Sequence, residues 1–129
     1  MRAEAVVYVK DLERMRCFYE GCLGLAVEDG AEDYAVLESE AWRLSLVVVP
    51  PSVAATIQLS VPARRRETTA IKLAFLVPRI DDLRSPVAAL GGQVDPMSSQ
   101  WNFRGFRRCD AIDPEGNVIQ LLEPFALQT

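Results

Sequence analysis

The sequence contains no histidine, and this absence removes several kinds of chemistry. Without an imidazole the chain cannot build a Ser-His-Asp or Cys-His nucleophile, or the iron site that uses two histidines and one carboxylate. Cysteine is scarce as well, since the three thiols of Cys17, Cys22 and Cys109 cannot all pair and form no CxxC motif. We expect reduced cysteines, so any reaction must use carboxylates, lysine, arginine, tyrosine or a thiol.

Long apolar runs are also missing. The longest largely aliphatic stretch, residues 44–49, is far too short to cross a bilayer, and the N-terminus does not resemble a signal peptide. A formal net charge of -4 opposes phosphate backbones, and the one dense basic run, residues 64–66, ends at Glu67. We therefore expect a cytoplasmic protein that binds neither membrane nor nucleic acid.

What the sequence does have is enough apolar content for a core. The chain has 129 residues, of which 50% are hydrophobic, and this length predicts a single domain over residues 1–129. Alternation in "AEAVVYVK" predicts a strand, and "DLERMRCFYEGCLG" predicts an amphipathic helix that begins at the N-cap Asp11. Three short strands, "LAVEDG", "DYAVLES" and "WRLSLVVV", follow this helix.

The second half repeats this β-α-β-β-β order. The stretch "AIKLAFLV" predicts a strand, residues 82–90 predict a helix, and "GQVDP", "GFRRCDAI" and "NVIQLLEP" predict three more strands. A turn at residues 113–116 joins the last two. We interpret the chain as a module at about 1–50, a linker at about 51–69 that allows a short strand at 56–60, and a second module at about 70–125.

Two motifs identify a resemblance to a known family. "VKDLERMRCFYEGCLGL" and "DAIDPEGNVIQLLEP" are similar to signatures of the vicinal oxygen chelate superfamily, which contains glyoxalases, bleomycin-resistance proteins and extradiol dioxygenases. The resemblance implies an α+β fold with two βαβββ modules. These would form a cup-shaped, curled eight-stranded mixed sheet with the helices on its outer face.

Strand alternation selects the polar residues that would face the cup. If Ile119 and Leu121 face the helices, Gln120 faces the cup, and the same argument places Glu4, Ser45 and Lys72 there. The resemblance assigns these four positions to metal ligands. A protonated lysine repels a divalent cation, serine is a weak ligand and glutamine offers only an amide oxygen, so we predict no metal and no cofactor.

Two interpretations of these residues stay open. In the structural interpretation, Glu4 forms an ion pair with Lys72, and Ser45 forms a hydrogen bond with Gln120. In the functional one, the four residues bind a ligand together with further residues on the same surface. Tyr8 shares a face with Glu4, and a segment similar to the Trp-x-x-Arg segment of relatives adds Trp101 and Arg104 at the mouth of the cup.

We predict that the protein binds a small, partly aromatic organic molecule without a metal ion, as bleomycin-resistance members do. The alternative is an enzyme of the same superfamily in which Lys72 acts as acid, base or anchor and Glu4 is its partner. A metal-dependent lyase or dioxygenase would need ligands that this chain lacks, and a regulatory or structural module is a further alternative. We also predict a homodimer, because the first strand of each module offers a sheet edge that needs cover.

Overall fold

The computed structural model describes residues 3–125, which form an α+β fold with strands in two sheets. The first part contains β1 (Ala3–Val9), α1 (Leu12–Leu23), β2 (Ala26–Gly30), β3 (Tyr34–Glu38) and β4 (Trp42–Val48). The second contains α2 (Pro51–Ala54), β5 (Leu73–Leu76), α3 (Arg84–Ala89), β6 (Gln93–Val94), β7 (Trp101–Phe103), β8 (Phe106–Ile112) and β9 (Val118–Pro124). The α+β class and the order of the predicted elements are confirmed, with one further strand, β7, that makes nine strands in residues 3–125 rather than the expected eight. The ends of the predicted domain, 1–2 and 126–129, lie outside the described residues.

Each part of the chain forms one open sheet. The strand order is β1-β4-β3-β2 in the first sheet and β5-β9-β8-β6 in the second, with β7 paired to β8. The pairs β1–β4 and β5–β9 are parallel, whereas the other pairs are antiparallel. Within the described residues β1 and β5 each pair with one strand only, so both are edge strands. Mixed, open sheets of this kind agree with the curled sheet that the resemblance implies.

Helix α1 packs the apolar stripe that the sequence predicts. Asp11 caps its N-terminus, since the carboxylate accepts from the Arg14 backbone N–H at 3.1 Å. Gly24 ends it in the left-handed conformation, with φ of 68°. The buried side chains of the helix are Met15, Phe18, Tyr19 and Cys22. They pack against strands β3 and β4 and helix α3, which fixes the core on one face of the sheets.

Alternation along the strands separates a core face from an open face. In β9 the side chains of Ile119 and Leu121 are buried and Gln120 lies between them on the other face, as predicted. In β8 Cys109 and Ala111 are buried in the same way. We call the face of each sheet that lies opposite the core its open face.

None of the helices in residues 3–125 is long and apolar enough to cross a bilayer.

Two segments differ from the sequence prediction. The segment at 98–105, where no strand was predicted, contains strand β7, which folds back on β8 through a tight turn at Arg104 and Gly105. Both turn residues have positive φ, 52° and 80°, as a two-residue hairpin requires. The short strand allowed at 56–60 is wrong. The N–H groups of Thr56 and Ile57 instead close a helical turn onto Val53 and Ala54.

Candidate functional site

Strands β7, β8 and β9 place basic and aromatic side chains together on the open face of the second sheet. Register sets this arrangement, because Asp110 pairs with Gln120 and Arg108 pairs with both Leu122 and Trp101. Cys109 and Ala111 take the core face of β8, so Arg108 and Asp110 take the open face. We call the following residues the open-face cluster: Lys72, Trp101, Phe103, Phe106, Arg108, Asp110 and Gln120.

Arg108 lies at the centre of this cluster. Its Nη1 donates to Oε1 of Gln120 at 2.8 Å, and its Nε donates to the backbone carbonyl of Phe103 at 3.2 Å. The guanidinium carbon lies 5.2 Å from the ring centroid of Phe103 and 5.7 Å from that of Phe106. Among residues 3–125 no carboxylate forms a salt bridge with Arg108. The side chain is therefore held in place by neutral groups, and within these residues no carboxylate balances its positive charge.

Lys72 is the second cation of the open-face cluster, but its charge is balanced. Its Nζ donates to both carboxylate oxygens of Asp110, each at 3.0 Å. The same nitrogen lies 5.8 Å from the ring centroid of Trp101. This distance is within the range of a cation–π contact. The ion pair thus holds Lys72 beside the indole.

The aromatic residues of the hairpin are more exposed than core aromatics. The exposed fractions are 39% for Trp101 and 56% for Phe103. An exposed aromatic pair next to two cations is unusual for a surface that only contacts water, because burial of such rings normally contributes to stability. These side chains give the open face of the second sheet a partly exposed aromatic surface.

The open face of the first sheet has the opposite charge. Arg43 lies 2.7 Å from a carboxylate oxygen of Glu38 and 3.6 Å from oxygens of Glu4 and Glu28. The hydrogen bond with Glu38 raises the pKa of Arg43, so the cation is retained among three carboxylates. Ser45 donates to Oε2 of Glu4 at 3.2 Å.

Two cavities are lined by residues of these faces, one by Glu4 and the other by Lys72 and Asp110. One, of about 420 Å³, lies between the edges of β1 and β5 and is lined by Glu4, Val6, Ile71 and Val118, among others. The other, of about 280 Å³, is lined by Arg65, Arg66, Glu67, Thr69, Lys72, Asp110 and Val118. Val118 is the residue that the two cavities share.

A second polar cluster lies inside the protein and supports the turn between β8 and β9. The fully buried Asp113 accepts a hydrogen bond from the Tyr19 hydroxyl at 2.7 Å. It also accepts from the backbone N–H of Glu115 and from both the backbone N–H and the side-chain amide of Asn117. Glu115, also buried, accepts from the backbone N–H groups of Lys10 and Asp11. These bonds join the turn to the start of α1. Every carboxylate oxygen has a donor, so the cluster has a structural role.

The cysteines are poor nucleophiles. All three are free, and Cys22 and Cys109 are buried. Burial raises the pKa of Cys22 to about 11 and also raises the pKa of Cys109. Cys17 is more accessible, but desolvation and the nearby Glu13 carboxylate raise its pKa as well. No thiolate chemistry follows from these positions.

Comparison with known proteins establishes the family. The model of the glyoxalase-like domain matches residues 4–122. The chain belongs to this glyoxalase-like family. A comparison with curated proteins found no match.

Solved structures with the same fold have low sequence identity to this glyoxalase-like chain. A glyoxalase/bleomycin resistance protein from Albidiferax ferrireducens T118 is 23% identical, with a TM-score of 0.64 over 95% of this chain and 97% of that one. A glyoxalase/bleomycin resistance protein/dioxygenase family enzyme from Burkholderia phytofirmans PsJN is 18% identical, with a TM-score of 0.69 over 95% and 97%. The fosfomycin resistance protein FosX from Listeria monocytogenes is 16% identical, with a TM-score of 0.66 over 97% and 93%.

The resemblance assigns the positions of Glu4, Ser45, Lys72 and Gln120 to metal ligands, but these residues of the glyoxalase-like chain do not fit a divalent ion. Glu4 is bonded to Ser45, whereas Lys72 brings a positive charge that Asp110 balances. The amide oxygen of Gln120 already accepts from the Arg108 guanidinium, which would place a second cation beside the metal. Within residues 3–125 no three His, Cys, Asp or Glu side chains are grouped as metal ligands would be.

The pairings of the structural interpretation are wrong. Glu4 was expected to pair with Lys72 and Ser45 with Gln120, but Glu4 bonds Ser45 and Arg43, Lys72 bonds Asp110, and Gln120 bonds Arg108. The reason is register. Asp110 lies directly across from Gln120, within reach of Lys72, and the two open faces each contain their own counter-charges.

The other predicted ligand residues lie in three different parts of the structure. Trp101 belongs to it. Tyr8 is highly exposed on the same face of β1 as Glu4, about 13 Å further along the strand. Arg104 is exposed in the tight turn between β7 and β8.

Sequence reasoning missed Arg108, although a signal was present. In "FRRCDAI" the small residues Cys109 and Ala111 alternate with Arg108 and Asp110. Applying the period of two to this strand, as was done for the last one, would have placed both charged side chains on the open face.

Proposed function

We propose that the protein binds a small organic molecule with a planar group on the open face of the second sheet, without a metal ion. The observation that carries the proposal is the open-face cluster, in which partly exposed aromatic rings stand beside Arg108 and Lys72. Apolar walls with a few oriented polar groups are typical of small-molecule sites. Trp101 and Phe103 would contact the planar part, and Lys72, Arg108 and Gln120 would orient the polar part.

The first sheet would contribute further polar groups to the site. Glu4 and Ser45 are bonded to each other, and Glu4 lines the cavity of about 420 Å³. Tyr8 and Arg104 would contact only a ligand that extends beyond the cluster.

Catalysis is the alternative function. It was predicted to use Lys72 as acid, base or anchor with Glu4 as partner, and the pairing of Lys72 with Asp110 removes that geometric support. A mutant of the Listeria FosX was crystallised with Mn(II) and 1S,2S-dihydroxypropylphosphonic acid. That protein is 14% identical to this chain, a likeness that shows the fold alone. The binding function is therefore the better supported of the two.

A fluorescence experiment tests the proposal. The chain has two tryptophans, so Trp42→Phe leaves Trp101 as the only indole. A planar compound selected by calorimetry from a panel of metabolites and antibiotics should shift or quench Trp101 emission, because it would replace water against the ring. EDTA should leave the affinity unchanged. In the matched variant Trp101→Phe, the remaining Trp42 packs against Phe75 at 5.4 Å and should not respond.

The outcome that contradicts the proposal is equally definite. If compounds that bind by calorimetry leave the emission of Trp42→Phe unchanged, the site is elsewhere. If EDTA abolishes binding, a metal takes part in it.

We also propose a homodimer. The edge strand β1 exposes Val6 and Tyr8, and residues at and beside the edge strand β5 expose Ile71 and Leu76, all by at least half. Exposed apolar side chains on unpaired strand edges favour association with another chain. Light scattering at micromolar concentration should give about twice the mass of one chain. A monomer under these conditions would overturn this proposal.

A further inference from the structure

We infer that the ligand is a planar organic anion and that Arg108, rather than Lys72, binds its carboxylate. This inference rests on the proposed function and identifies the chemical class of the ligand. It depends on which hydrogen-bond donors of the open-face cluster are still available. It also depends on which of the two cations is already neutralised.

Arg108 has N–H donors that are not used within the described residues. A guanidinium has five N–H donors, of which Nε–H is used by the Phe103 carbonyl and one Nη1–H by Gln120. Within the described residues the other Nη1 proton and both Nη2 protons have no acceptor. Nη2 is also not among the buried atoms that lack a partner, so it is accessible to solvent. The Nη1–Nη2 edge can therefore donate two parallel hydrogen bonds to a carboxylate.

Lys72 is not available to an anion in the same way, because Asp110 already pairs with it. Both oxygens of Asp110 lie 3.0 Å from its Nζ, so an incoming anion would compete with a carboxylate that is already in place. The Asp110 side chain is only 19% exposed, which leaves it little access to water if the pair were broken. Lys72 thus positions Asp110 and Trp101, and Arg108 offers the free charge.

Gln120 explains why the hydrogen-bond partner of Arg108 does not balance its charge. The amide oxygen holds Nη1 at 2.8 Å as a glutamate would, but it adds no negative charge. A glutamate at this position would form a salt bridge and neutralise the guanidinium. A glutamine therefore orients the Nη1–Nη2 edge and leaves it free for an anionic ligand.

The aromatic residues determine the shape of the anion. Phe103 and Phe106 lie within 5.7 Å of the guanidinium carbon, and Trp101 pairs with Arg108 across the β7–β8 ladder. An aromatic ring bearing a carboxylate could contact Trp101 or Phe103 with its face and Arg108 with its charged end. Aliphatic anions would lack the first contact, and neutral rings would lack the second.

A matched pair of probes tests the inference. The probes are 2-naphthoate and the neutral 2-naphthamide, which have nearly the same shape, and binding is measured by calorimetry on the full chain. Wild type should bind naphthoate at least about tenfold more tightly than naphthamide, the value expected for hydrogen bonds to a charged group. Added NaCl should weaken the binding of naphthoate only.

Two substitutions and one control locate the charge. Arg108→Met and Gln120→Glu should each remove about tenfold or more of the naphthoate affinity and leave naphthamide binding unchanged, the first by deleting the cation and the second by neutralising it. Arg79→Met, at an exposed cation outside the open-face cluster that lies 3.8 Å from Asp82, should change neither. Gln120→Glu adds no volume, so it tests the inference even if Arg108→Met does not fold.

The results separate this inference from the proposed function. If naphthamide binds as tightly as naphthoate and changes Trp101 emission, the inference is wrong and the proposed function stands. The same holds if Gln120→Glu leaves the preference for naphthoate intact. If neither probe binds, the inference and the proposed function both fail.

Discussion

Gly116→Ala is expected to destabilise the protein by more than about 4 kcal/mol, or to prevent folding, because two costs add. Gly116 has φ of 86°, a conformation that costs an L-residue about 1–2 kcal/mol. A Cβ placed there would also lie 1.9 Å from the backbone carbonyl oxygen of Arg64. That oxygen cannot rotate away, since the neighbouring Arg66 N–H is bonded to the Gly116 carbonyl at 2.9 Å. Urea unfolding of the purified variant measures the loss.

Gly105→Ala is the matched control for this effect. Gly105 also has positive φ, 80°, but a Cβ there would meet nothing within 4 Å. Gly105→Ala should therefore lower the free energy of unfolding only by the conformational cost of positive φ, about 1–2 kcal/mol. If both alanine variants lose the same stability, the close contact between the β8–β9 turn and the segment at 64–66 does not constrain the fold.

Local signals predicted most of the fold. The spacing of Met15, Phe18, Tyr19 and Cys22 predicted which face of α1 is buried, and Asp11 predicted where it begins. Alternation in β9 predicted that Gln120 faces away from the core. These features depend on neighbours within one or two turns or strand periods, so a sequence pattern contains them directly.

The side-chain partners of the site could not be predicted in this way. Whether Lys72 bonds Glu4 or Asp110 depends on how β5, β9 and β8 are aligned, and that register is set by the whole sheet. Strand β7 was missed for a related reason. Three residues carry little periodicity, and the hairpin turn places a non-glycine residue, Arg104, at positive φ. The sequence nevertheless contained the residues of the site, and only their pairing required the structure.

Asp113→Ala should cost about 4 kcal/mol or more, because it leaves several buried donors without an acceptor at about 1–3 kcal/mol each. The donors are the Tyr19 hydroxyl, the backbone N–H groups of Glu115 and Asn117, and the Asn117 side-chain amide. The control is Asp82→Ala. That carboxylate is 73% exposed, and its one ion pair within residues 3–125 is with Arg79 at 3.8 Å, so its loss should stay below about 0.5 kcal/mol. Equal losses in the two variants would contradict a structural role for Asp113.

The cost of Asp113→Ala should also depend on pH. Burial raises the pKa of Asp113 above its ordinary value of 3.8, so the folded state binds the proton more tightly than the unfolded state does. The stability that this group contributes is complete below 3.8 and is lost as the pH rises through the folded-state pKa. The alanine variant lacks this loss. Burial and, less strongly, the Asp113 charge raise the pKa of Glu115, and the variant also lacks that charge, so both changes act in the same direction. The difference in unfolding free energy between wild type and variant should therefore be largest near about pH 4 and smaller near about pH 8, measured by urea unfolding. A difference that instead grows with pH would mean that the hydrogen bonds from Tyr19 and Asn117 outweigh burial and hold the pKa of Asp113 below its ordinary value.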